Sequence, residues 1–136
     1  MKKILSLVLT CLLLISCFSV MSSAAVAPTP EVQPLWNNTH SLLGDFIFDG
    51  TDGYSYMDVT GKTGVTMIEG YVAVYKRTNL GWTYVADNST MVRAQRCSLD
   101  IEFTGEIGCE YMAMYVFEVY IGNVGETVTE NLTAIC

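Results

Sequence analysis

Few side chains of this chain have types and spacing suited to chemistry. There is one histidine, His40. A serine nucleophile needs an imidazole base held by a carboxylate, and His40, just past a proline-rich stretch, reads instead as a solvated turn residue. No G-x-S-x-G, H-E-x-x-H or phosphate-loop motif occurs. Paired carboxylates are the remaining acid–base option. Asp100, Glu102, Glu106 and Glu110 lie close in sequence, and they read as a solvated acidic turn. Asp45, Asp49, Asp52 and Asp58 surround two Asp-Gly steps. They could offer oxygens to calcium, but the spacing is not that of an EF-hand loop, and Asp-Gly is common turn chemistry. There is no C-x-x-C pair for a thiolate metal site. The expectation is a protein that is not an enzyme and uses no cofactor and no metal.

Three cysteines lie beyond the first segment of the chain: Cys97, Cys109 and Cys136. If Gly122-Asn123 is a two-residue hairpin loop, Cys109 falls directly opposite Cys136, on the side of Tyr111, Tyr115 and Phe117. A four-residue loop places Cys136 opposite Tyr111 instead, still near Cys109. A hairpin turning near Glu106 sets Cys97 opposite Tyr115. Cys109–Cys136 is therefore the disulfide candidate, tying the final residue to the central strand, with Cys97 the spare. Three free thiols are the alternative.

Aromatic residues offer a different kind of chemistry. Ser55, Met57 and Val59 alternate with Tyr54 and Tyr56, and Ile68, Val72 and Val74 alternate with Tyr71 and Tyr75. With the aliphatic sets inside, the four tyrosines point out. Should the two strands pair, all four share one face able to stack on sugar rings or anchor a protein. Cross-strand aromatic pairing that merely stabilises a sheet is the alternative. Met112, Met114 and Val116 lie opposite the core side of their strand and form a candidate interface for self-association.

The elements that must carry these residues read as strands. Glu110 to Ile121 is apolar on both faces, bounded by glycines, and suits the middle of a sheet. Ser41–Phe48 (with Leu43, Phe46 and Phe48 for the core), Tyr54–Thr60, Val65–Arg77, Trp82–Ala86 and Glu126–Ile135 are further strands. Asp87–Thr90 reads as a polar loop, and Met91–Phe103 holds one strand near its end. Turn signals recur between them, and no helical spacing appears. The expected fold is all-β, a single antiparallel β-sandwich of about seven strands, Ig-like, with a small β-barrel as the alternative.

The chain begins with Met1-Lys2-Lys3, an apolar run from Ile4 to Ile15, and small residues at Ser22, Ser23, Ala24 and Ala25. This is the layout of a secretory signal peptide, with cleavage expected after Ala25 and Ala24 or Ala27 as alternatives. The apolar run is shorter than the roughly 20 residues of a bilayer span. Leu14-Ile15-Ser16-Cys17 also matches a lipobox, so a lipid anchor at Cys17 is the alternative, although the following residues are apolar where a tether is usually polar. The expected organisation is a signal peptide over 1–25, a proline-containing linker over 26–40 with Asn37–Thr39 as a turn, and a sandwich over 41–136. Hydrophobic residues make up 51% of the chain and charged residues 15%, which excludes a disordered chain. The full chain carries −7; without Lys2 and Lys3, five basic residues face 14 acidic ones, a net −9. Such a charge disfavours nucleic acid and anionic membranes and leaves neutral or cationic partners.

Several of these features occur together in a recognisable order: Gln33-Pro34-x-Trp36, Val59-Thr60-Gly61-Lys62-Thr63-Gly64, Val74-Tyr75-Lys76, Gly81-Trp82 and Gly108-x-x-Tyr111. The chain resembles a group of small secreted proteins of Gram-positive bacteria, mostly of unknown function. The resemblance covers about Gln33 to Ile135 and implies one Ig-like sandwich, with no catalytic residue to carry over. The acidity and the three later cysteines depart from the usual pattern. The expected function is a secreted, extracellular, non-catalytic binding or interaction domain with a protein or glycan partner. The alternative is a self-associating structural cell-surface protein or lipoprotein, with a homodimer as its assembly.

Overall fold

The computed structural model describes residues 35–136. The expected signal peptide, Cys17 and most of the linker fall outside the described residues. Seven strands follow in order: β1 (Thr39–Asp49), β2 (Asp52–Gly61), β3 (Met67–Thr78), β4 (Gly81–Val92), β5 (Arg96–Thr104), β6 (Glu110–Ile121) and β7 (Val124–Ile135). They form two antiparallel sheets, β1-β2-β5 and β4-β3-β6-β7. The β-sandwich expected from the sequence is the architecture found. The barrel is not formed, because no ladder joins β1 to β7 or β4 to β5. Side chains join those corners instead: Asn88 Nδ2 donates to Asp100 O at 2.8 Å, and Glu126 grips the start of β1.

The alternation of β6 explains the core. Tyr111, Ala113, Tyr115, Phe117 and Val119 all face inward and are buried. They meet Met57 and Val59 of β2, Leu99 and Ile101 of β5, and Ile68, Val72 and Val74 of β3. The Tyr115 hydroxyl donates to Ser55 Oγ at 2.9 Å, and Ser55 Oγ donates to Asp45 O at 3.1 Å. At one end, Phe48, Phe103 and Tyr111 cluster with ring centroids 5.3–5.7 Å apart. Glu106 N donates to the Tyr111 hydroxyl at 2.8 Å. A tyrosine at the start of this strand, bonded back to the preceding corner, is the tyrosine corner of Ig-like sandwiches. Gly70 lies on the inner face of β3, where a Cβ would stand 2.7 Å from the Phe117 ring and 3.2 Å from Leu99. Its missing side chain is the space that Phe117 fills.

Several expectations are corrected. Leu43 points outward and is 70% exposed, because Leu42, Phe46 and Phe48 share the opposite parity and take the core side. Asp87–Thr90 is not a loop but the second half of β4. Its polar residues are tolerated because β4 is an edge strand, hydrogen-bonded on one side only. A bulge at Val85, between the pairs Tyr75–Tyr84 and Val74–Ala86, lets β4 turn Val85 and Ala86 inward and Tyr84 and Asp87 outward. β5 does not form a hairpin with β6: the two strands lie in different sheets, and Cys97 pairs with Val59 rather than facing Tyr115.

Asn37–Thr39 is not a free turn at the end of a linker. Asn37 N, Asn38 N (2.9 Å), Thr39 N (2.8 Å) and Thr39 Oγ1 (2.9 Å) all donate to the Glu126 carboxylate. Asn38 Nδ2 donates to Val119 O at 2.8 Å. Partial burial opposes ionisation of Glu126, but the four donors outweigh it and hold its carboxyl below the ordinary 4.5. A depressed carboxyl contributes stability above its unfolded pKa and loses it as pH falls through the folded value. Glu126→Gln should therefore destabilise the domain by about 1–2 kcal/mol at neutral pH in urea unfolding. The gap to the unsubstituted protein should close as pH drops below 4.5; a gap independent of pH would contradict this account. Gly70→Ala should cost about 1–3 kcal/mol in the same assay by overpacking against Phe117.

Candidate functional site

The four tyrosines do not share a face. β2 and β3 belong to different sheets, so Tyr54 and Tyr56 lie on one outer face of the sandwich and Tyr71 and Tyr75 on the other. The common platform expected from pairing of these strands does not form, because β2 pairs with β1 and β5 instead.

The register brings Tyr71 and Tyr75 beside residues assigned separately from the sequence. Tyr71 stands opposite Val116, Ala73 opposite Met114, and Tyr75 opposite Met112. On the other flank, Tyr75 stands opposite Tyr84, and Arg77 opposite Trp82. The outer face of the larger sheet is thus a continuous patch crossing β4, β3 and β6. It runs Trp82, Tyr84, Tyr75, Met112 at one end and Met91, Tyr71, Val116 toward the other. Tyr71 is 39% exposed, Tyr84 54% and Met91 60%; Met112, Met114 and Val116 are half-buried. The Tyr75 and Tyr84 rings meet edge to face with centroids 6.3 Å apart, and the Arg77 guanidinium lies 5.1 Å over the Trp82 ring. A shallow depression toward the opposite end is lined by Glu69, Tyr71, Ser89, Met91, Val116 and Glu118.

Trp82, Tyr84 and Met91 were missed as members of this surface. Reading 87–90 as a loop cut β4 short, and the bulge at Val85 breaks the two-residue period that would have linked Tyr84 to Met91. Four carboxylates edge the patch: Glu69, Asp87, Glu110 and Glu118. The Tyr84 hydroxyl donates to Asp87 Oδ1. That bond, reinforced by partial burial, pushes the Tyr84 phenol up to about 12. Burial, then Asp87, raises Tyr71 as well. The Tyr71 and Tyr84 hydroxyls of the patch therefore stay neutral, the latter with its hydrogen held by Asp87.

The smaller sheet presents a different outer face. Tyr54 and Tyr56 stack there with centroids 6.0 Å apart, between Ile47 and Asp45 on β1 and Glu102 and Asp100 on β5. Burial, then Asp100 and Glu102, raises the Tyr54 phenol. The other chemistry-bearing residues do not converge. His40 is exposed on β1. Asp100 and Glu102 sit on the smaller sheet, whereas Glu106 bridges to Lys76 at 2.5 Å in the β5–β6 turn. Asp49 and Asp52 pair across the β1–β2 hairpin while Asp45 and Asp58 lie further along it. Among the described residues, no three Asp, Glu, His or Cys side chains are grouped to hold a metal ion, and no helix is long and apolar enough to cross a membrane.

Cys109 and Cys136 stand opposite each other, as the two-residue loop implies: Ile121 pairs with Val124 and Glu110 with Ile135. Cys136 N donates to Cys109 O at 3.0 Å. All three later cysteines are present as thiols.

No family model matches the chain, and no curated protein matches it. Solved structures give distant likenesses. A Bacteroides uniformis β-glucuronidase 2 aligns with a TM-score of 0.48 at 10% identity, over 69% of this chain and 13% of that one. R. palustris CsgH aligns with a TM-score of 0.38 at 14% identity, over 70% and 92%. The sporulation control protein Spo0M of Bacillus subtilis gives 0.41 at 8% identity, over 74% and 51%. The chain thus spans about an eighth of the glucuronidase, from its 13% coverage.

The hydrogen bond that closes one edge of the patch can be tested directly. Asp87→Ala should return the Tyr84 phenol from about 12 toward 10.0. Ultraviolet titration should then show one more tyrosine ionising in the ordinary alkaline range. In a Tyr84→Phe background, the same substitution should leave only the lowering of Tyr71 that loss of the Asp87 charge brings.

Proposed function

We propose that this protein is a non-catalytic, exported binding domain that engages its partner through the outer face of the β4-β3-β6-β7 sheet. The observation that carries the reading is the gathering of Tyr71, Tyr75, Trp82, Tyr84, Met112, Met114 and Val116 on that one face. Tyr, Trp, Met and Arg are the residue types enriched in protein interfaces, and contiguous exposed apolar patches mark interaction sites. Tyrosine and tryptophan rings bury large area at low entropic cost, and their neutral polar tips fix orientation. The methionines adapt to an irregular partner surface.

The rim favours a protein partner over a second copy of the chain. Glu69 and Glu118 lie at one end of the patch, Glu110 at the other and Asp87 along its β4 side, and Arg77 is tied up over Trp82. Two copies placed face to face would set carboxylates against carboxylates at the rim, which disfavours that pairing. A partner with basic residues around an apolar centre complements the face instead.

The test is site-specific photo-crosslinking in cells that export the protein. A crosslinker at Tyr71 should yield a discrete adduct with another protein, and one at Tyr56 on the opposite sheet should not. Met114→Lys should abolish the adduct, and Tyr71→Ala should weaken binding of the captured partner by roughly 10–30-fold. Adducts from Tyr56 alone would overturn the assignment of the face. A homodimer that Met112→Lys dissolves would support the self-associating reading in its place.

A further inference from the structure

We infer that Cys109 and Cys136 form a closable dithiol, oxidised to an intramolecular cross-strand disulfide when an external disulfide is supplied. The inference is independent of the binding face. Three placements carry it. First, the two residues are in direct register at the end of the β6–β7 ladder, with Cys136 N bonded to Cys109 O at 3.0 Å and Gly108 N to Cys136 O at 2.8 Å. Opposed residues on neighbouring antiparallel strands lie about 4.5–5.5 Å apart at Cα, inside the range of roughly 4.4–6.8 Å that a disulfide spans. Second, both side chains lie on the inner face, packed against the core, with Cys136 at the Gly105 corner beside Phe48, yet each is only half-buried. A thiol exchange partner can reach them. Third, Cys97 cannot compete. It is 4% exposed, and burial, reinforced by Asp58, raises its thiol pKa. It sits at the far end of β5, roughly 25 Å of strand from the corner where Cys136 packs.

The step balances without any group from the protein beyond the two thiols. The thiolate of one cysteine attacks the external disulfide and releases one thiolate of it, leaving a mixed disulfide. The second cysteine's thiolate attacks the protein sulfur and releases the other. One S–S bond forms in the protein and one is lost outside it. The two cysteines give up two protons and two electrons, and the external disulfide becomes two thiols.

Oxidation also moves a constraint. In the dithiol, the Cys136 thiol donates to Gly50 O at 3.4 Å, linking β7 to the β1–β2 turn across the two sheets. The disulfide has no hydrogen to donate, so that link is exchanged for a covalent one within the larger sheet.

Oxidised glutathione, added to the folded protein without denaturant, is the probe. Intact mass should fall by two hydrogens, and peptide mapping should join Cys109 to Cys136, with Cys97 alkylated only after unfolding. Dithiothreitol should then lower Tm by roughly 10 °C or more, from the size of the closed loop. Cys109→Ser and Cys136→Ser should each abolish that response, and Cys97→Ser should retain it. Hydrogen exchange should speed up at the Gly50 turn and slow down at Cys136 on oxidation. A bridge through Cys97, a persistent glutathione adduct without closure, an intermolecular dimer or an unchanged Tm would each overturn the inference.

Discussion

The structure depends on the burial of one side of β6 against the smaller sheet. Tyr111, Ala113, Tyr115, Phe117 and Val119 form the middle of the sandwich, and every other strand is placed by what those side chains leave free. Tyr115 shows the constraint best. A buried phenol is costly unless its hydroxyl is bonded, and the partner here is Ser55 on the opposite sheet. Burial raises the Tyr115 phenol to about 12 despite that bond, so the ring stays neutral. The pair therefore fixes how β2 lies across β6, and apolar packing fills in around it.

The same two-residue period has a consequence on the other side. Whatever alternates with the core residues of β6 must point to solvent or to a partner, and in this chain those residues are Met112, Met114 and Val116. β3 adds Tyr71 and Tyr75 in the same phase. β4 reaches that phase only through its bulge at Val85, which turns Trp82 and Tyr84 to the same side as Asp87 and Met91. The patch on the larger sheet is the outward complement of a well-filled interior, with one local irregularity that extends it by a strand.

Much of the fold was legible in the residues. The alternation of Ser55, Met57 and Val59, and of Ile68, Val72 and Val74, gave the right inward faces, and Gly122-Asn123 gave the β6–β7 register. What stayed hidden was set by long-range pairing. Nothing local in Tyr54–Thr60 says that its neighbours are β1 and β5 rather than β3, so the tyrosines were placed together when they belong to opposite faces. The polar run Asp87–Thr90 resembles a loop because an edge strand has no second neighbour to punish low β propensity. Asn37–Thr39 resembles a turn because its partner, Glu126, lies in the last strand. Leu43 misled for a simpler reason: it is apolar in a strand whose other side supplies the core.

The grip of Glu126 on Thr39 spans 87 positions of the chain. A contact of that span closes almost the whole domain into one loop, and topologies dominated by such contacts fold slowly. The β1–β2 hairpin can pair on its own, but the start of β1 is not fastened to the larger sheet until β7 has been delivered. A domain built this way commits to its native form late, once residues from near both of its ends have met.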